Sequence, residues 1–116
     1  MNQVQLSRGK RVAPPELAGI TGTTTSKNQN MKGHNAIILF INFTVVAGQF
    51  SVKLQGKSPD GEYIDVYNEA GTLMGISNAT ADKAVVLRGV PSDFKIVATE
   101  DTDGGTATVS YELLTM

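Results

Sequence analysis

The side chains of this sequence that could do chemistry are few, and their spacing keeps them apart. His34 is the single histidine, set between Gly33 and Asn35. A general base or a metal-ligating imidazole needs a partner group, and the neighbouring sequence supplies none. Carboxylates form two groups: Asp60, Glu62 and Asp65 around Ser58-Pro59-Asp60-Gly61, and Glu100, Asp101 and Asp103 before Gly104-Gly105. Glycoside hydrolysis would need two carboxyls converging on one bond. Acids at turn positions instead bond their own backbone and serve the turn. The Asp101-x-Asp103-Gly104 spacing is a fragment of a calcium loop without its third ligand and its distal bidentate glutamate. No Gly-x-Ser-x-Gly elbow and no phosphate-binding glycine loop occurs. The chain has no cysteine, which removes thiolate nucleophiles, thiolate metal sites and disulfides together. These residues predict no catalytic, metal or cofactor site and a protein that is not an enzyme.

Tyr63 and Tyr67 remain as a small stacking pair, which with the acidic turns would suit a glycan-binding module. The absence of tryptophan counts against that reading, and such a pair also serves as cross-strand packing. Nucleic acid is not an expected partner, because the formal net charge is −1 and a basic face is required. Arg8, Lys10 and Arg11 are the one cationic cluster. The longest apolar run, Ala36–Ile41, is too short to span a bilayer, and the N-terminal residues carry no apolar core of a signal peptide, so a soluble protein made in the cytoplasm is expected. Charged residues make up 18% of 116 residues, below the usual quarter, and Thr, Gly, Asn and Ser take their place. A neutral polar surface of that kind suits packing against neighbours.

The elements that must position these groups are strands. Ala36–Val45 is β-branched and aromatic, apolar on both faces at first and alternating later. It reads as a central strand, covered on both sides or set with its outer face against another subunit. Phe50, Val52 and Leu54 alternate with Ser51, Lys53 and Gln55, a half-buried strand. Ser58-Pro59-Asp60-Gly61 then turns the chain into Tyr63–Tyr67, a hairpin. Ala84–Arg88, Phe94–Thr99 and Thr106–Leu113 follow, the last two read as a hairpin through Asp103-Gly104-Gly105. No segment holds a helical period over three turns. The fold class is therefore all-β, an antiparallel β-sandwich or small barrel (jelly-roll or Ig-like) of about six to eight strands, spanning residues 34–116.

Residues 1–33 read differently. Pro14-Pro15 interrupts regular structure, and residues 21–33 are a polar run with few groups able to repay ordering. The segment is expected to be an extended arm that can add one strand near residues 17–25. Partners would order it, or it would stay a loose terminus, and the domain should fold without it.

Taken together, Ala36 to Gly48, the Val-Lys-Leu-Gln strand at residues 52–55 followed by Ser58-Pro59-Asp60-Gly61, the Tyr63–Val66 segment and the closing strands resemble small tailed-phage virion proteins. The likeness covers residues 35–114 and leaves the arm unmatched. Tyr63 stands where that group often has tryptophan. The resemblance implies a virion structural protein, first of all a capsid cement or decoration protein bridging major capsid subunits, otherwise a tail or head-tail joining component. It carries over no catalytic residue and implies the virion surface as location, a homo-oligomer (dimer or trimer), and neither nucleic acid nor membrane as partner. Contacts are expected from Arg8, Lys10, Arg11, Leu17 and Ile20 of the arm. Leu73, Met74 and Ile76 would join them if they sit on a loop tip rather than in the core.

Overall fold

The computed structural model describes residues 7–115, with side chains described from Lys10 onward. Two antiparallel sheets face each other. In chain order the strands are β1 (Ser7–Val12), β2 (Thr24–Thr25), β3 (Gln29–Asn30), β4 (Ala36–Val45), β5 (Gln49–Lys57), β6 (Tyr63–Asp65), β7 (Gly75–Ala79), β8 (Lys83–Arg88), β9 (Asp93–Thr102) and β10 (Thr106–Thr115). A one-turn 3-10 helix, Pro15–Leu17, follows β1. The first sheet has the order β1-β10-β4-β8. The second has six strands, β2-β9-β5-β6 with β3 also on β9 and β7 also on β5. The architecture is a β-sandwich.

Alternation with period two builds the interior. Ile37, Leu39, Ile41 and Phe43 of β4 and Val109, Tyr111 and Leu113 of β10 point inward from the first sheet. Phe50, Val52 and Leu54 of β5 and Phe94, Ile96 and Ala98 of β9 answer from the second. Two edge-to-face ring pairs tie these layers, Phe43–Phe50 at 5.7 Å and Phe94–Tyr111 at 5.4 Å between centroids. Such pairs add roughly 0.5–1.5 kcal/mol beyond their buried area.

The Ser58–Gly61 turn forms the expected hairpin: the Ser58 amide donates to the Glu62 carbonyl at 2.7 Å and the Gly61 amide to that of Ser58 at 2.9 Å. The turn at Asp103–Gly105 does something else. It carries the chain from β9 in the second sheet to β10 in the first, so it is a corner between layers and not a hairpin. The β4–β5 connection at Val46–Gly48 crosses between sheets in the same way. The two corners nest. A Cβ on Gly48 would overlap the Thr102 carbonyl oxygen, and one on Gly105 would overlap that of Ala47. Both glycines are required by backbone contact.

The N-terminal segment is not a free arm. β1 pairs with β10, β2 and β3 pair with β9, and Ile20 bridges to Ala107. Leu17 is fully buried, and Ile20 and Met31 are nearly so. The Glu16 carboxylate accepts the Lys27 amide at 2.8 Å, a bond that lowers its pKa. Three separated apolar residues, each plugging the sandwich at a different place, outweigh the polar composition between them. The segment therefore adds three strands to the seven that lie in residues 34–115.

Candidate interaction surface

The two groups of carboxylates stay apart. Asp101 accepts the Ser51 hydroxyl at 2.6 Å, and Asp65 accepts the Gln55 amide at 3.0 Å and the Lys53 ammonium at 2.9 Å. Ser51 and Gln55 lie four residues apart on β5, about 13 Å at the rise of a strand. Paired carboxyls in glycoside hydrolases sit no more than roughly 9.5 Å apart. Hydrogen bonding by Gln55, then Lys53, lowers the Asp65 pKa. His34 Nδ1 lies 2.8 Å from Thr115 Oγ1, at the junction of the β4 entry and the end of β10. Among the described residues, no three His, Cys, Asp or Glu side chains gather into a metal-binding group.

The two tyrosines have different partners. Tyr63 donates its hydroxyl to Asn28 Oδ1 at 2.8 Å and carries the Lys95 ammonium 4.2 Å above its ring. Tyr67 is 57% exposed and bridges to Leu73.

The outward faces of the two sheets differ in kind. On the second sheet, Ser51 bonds Asp101, Lys53 and Gln55 bond Asp65, and separately Asp93 Oδ1 accepts both Asn28 and Asn30 at 3.1 Å. Those two amides hold the Asp93 pKa below its ordinary value. These polar groups of the face are paired with one another. The outward face of the first sheet is apolar at its centre. Ile38 lies opposite Val86 and Phe40 opposite Ala84 in the β4–β8 register. Ala84 and Val86 are exposed, Val86 at 48%, while Ile38 and Phe40 are half-buried. Arg11 stands 4.6 Å over the Phe40 ring and donates to the buried Ser110 hydroxyl at 3.1 Å. The both-face apolarity of β4 thus resolves into one core face and one face turned outward.

The residues expected to make contacts scatter. Arg8 pairs through its backbone with Leu114, and its side chain lies outside the described residues. Lys10 is exposed, and Arg11 belongs to the apolar face as its cationic rim. Leu17, Ile20, Met74 and Ile76 are core residues and Leu73 is half-buried, so of the apolar candidates only Leu73 reaches the surface. The core claims Met74 and Ile76 because β7 pairs with β5, with Ile76 opposite Val52. Ile38, Phe40, Ala84 and Val86 were missed as a group. Only the excess of apolar residues in β4 pointed toward them.

No protein family and no curated protein matches the sequence. Among solved structures, the fold is similar to that of the SPBc2 prophage-derived protein YomS. That match has a TM-score of 0.65 at 11% identity and covers 99% of each chain. A family two carbohydrate esterase from Cellvibrio japonicus is matched at a TM-score of 0.44 and 10% identity, over 96% of this chain but 31% of the esterase. At these identities the first likeness establishes a shared fold, end to end; the second is too weak to bear on the argument.

Proposed function

We propose that this chain is a non-enzymatic structural protein of a tailed-phage virion, most specifically a capsid cement or decoration protein that acts as a homo-oligomer bridging major capsid subunits. The observation that carries the reading is the end-to-end fold likeness to a prophage-derived protein, over the whole of both chains. The apolar outward face of the first sheet supports it physically. A cluster of half-buried Ile38 and Phe40 beside exposed Ala84 and Val86, with a polar rim, is what a protein contact surface requires. A cement acts in many copies, so each contact can be modest while the shell gains the sum.

Quantitative mass spectrometry of purified virions from the phage or induced prophage that encodes the chain tests this reading. Copies on the order of hundreds per particle, as many-copy coating requires, are expected for a cement. A handful would move the assignment to a tail or head-tail joint, and absence from the particle would overturn the virion role.

A further inference from the structure

We propose that the chain self-associates through β8, two copies pairing antiparallel across a two-fold axis at Val85 to make one continuous eight-stranded sheet. Open strand edges invite pairing with another chain, and folded proteins blunt them by shortness, bulges, proline or charge. Among the described residues every other edge is blunted. β2 and β3 have two residues each and β6 has three; β7 and β1 carry register shifts in their pairing. β8 has six residues, pairs with β4 without a shift, and places its two cations only at its ends around Ala-Val-Val-Leu. The Tyr67–Gly75 loop flanks the C-terminal half of β8 across an open groove of about 750 Å³, the space an added strand would enter.

Charge and parity select the occupant and the register. A two-fold axis perpendicular to the sheet keeps each face on its own side, and residues placed opposite must then point the same way. That rule excludes the slip that would set Lys83 against Arg88 of the second copy. With Val85 on the axis, Ala84 meets Val86 of the second copy on the outward face. Arg88 then meets Asp82, an opposite-charge pair made twice. Asp82 accepts the Phe43 amide at 2.7 Å and the Asn42 side-chain amide at 3.4 Å, both on β4, so in the dimer its exposed carboxylate turns from β4 to meet Arg88 across the edge. The same pairing joins the two apolar faces, Ile38, Phe40, Ala84 and Val86 from each copy, into one surface. A single strand pairing is small against a standard interface, so the dimer should be weak, with Kd on the order of 10–100 μM. This inference rests on the self-association in the function proposed above and not on the virion role.

Light scattering and sedimentation of the full chain across that concentration range should show a species of twice the 12.3 kDa chain mass. R88D should raise Kd about tenfold or more by opposing two carboxylates, and D82R/R88D should restore it. Because the chain has no cysteine, V85C should give a disulfide-linked dimer on mild oxidation, while A84C alone should not. A monomer throughout, a dimer indifferent to R88D, or crosslinking of A84C in preference to V85C would overturn the proposal. Virion copy number is read independently, so the failure of either idea leaves the other standing.

Discussion

The outward faces of the two sheets solve opposite problems with the same strand pattern. The six-stranded sheet turns Ser51, Lys53, Gln55 and Lys95 to the outside and pairs them in three groups, Ser51 with Asp101, Lys53 and Gln55 with Asp65, and Lys95 with Tyr63, Asn28 and Asp93. The four-stranded sheet turns Ile38, Phe40, Ala84 and Val86 outward, with Arg11 and Glu112 at one margin and Asp82 and Arg88 at the other. A face that has already used its donors and acceptors gains little from a partner. A face with apolar area left in water gains about 25 cal/mol for each Å² a partner covers. The difference teaches where to look for a partner, namely at the face that folding leaves unfinished.

The largest effect should come from the interior that both faces share. Leu17→Ala removes a fully buried side chain and should cost about 2–5 kcal/mol in chemical denaturation. It should weaken both faces together, and removing residues 1–30 outright should abolish cooperative unfolding. A truncated chain that unfolds with an unchanged midpoint would show that the N-terminal strands are dispensable.

Tyr111 gives the next effect through pH. Burial pushes its pKa up to about 12 from an ordinary value near 10. The folded state thus disfavours the phenolate, and the stability present below pH 10 should be lost progressively as pH rises toward 12, by on the order of 1–2 kcal/mol. Tyr111→Phe should flatten that alkaline loss. It should also cost about 1 kcal/mol at neutral pH through the bond to Gln29. An alkaline profile unchanged in the variant would refute the assignment.

Smaller effects should separate the faces. Arg11→Ala gives up the cation over Phe40 and should cost about 0.5–1 kcal/mol. Lys53→Ala breaks a partly exposed ion pair on the other face and should cost about 0.5 kcal/mol, less at high salt, with no effect on partner binding. Lost binding in the Lys53 variant would reverse the comparison between the two faces.

Much of the sandwich was legible in the sequence because period-two alternation in β5, β9 and β10 is a local signal. The Ser58–Gly61 turn is equally local. The N-terminal strands were not legible, because Leu17, Ile20 and Met31 bury against β9, β10 and their neighbours, distant in sequence, with polar residues between them. Period cannot register an anchor that stands alone. The Asp103–Gly105 corner was misread for a related reason. A glycine turn between two alternating strands has the same sequence whether they pair or face each other, and only the nesting against Ala47 and Gly48 distinguishes the two. The candidate surface was half visible: Ile38 and Phe40 show as excess apolarity in β4, but Ala84 and Val86 join them only through the β4–β8 register.

The central claim, that the apolar face of the four-stranded sheet is the working surface, is tested most directly, under the proposed cement role, by binding the purified chain to capsids of the encoding phage prepared without it. Phe40→Asp should leave the chain folded and lower capsid binding at least a hundredfold, while Lys53→Ala binds as the unaltered chain does. Capsid binding by Phe40→Asp equal to that of the unaltered chain would contradict the account.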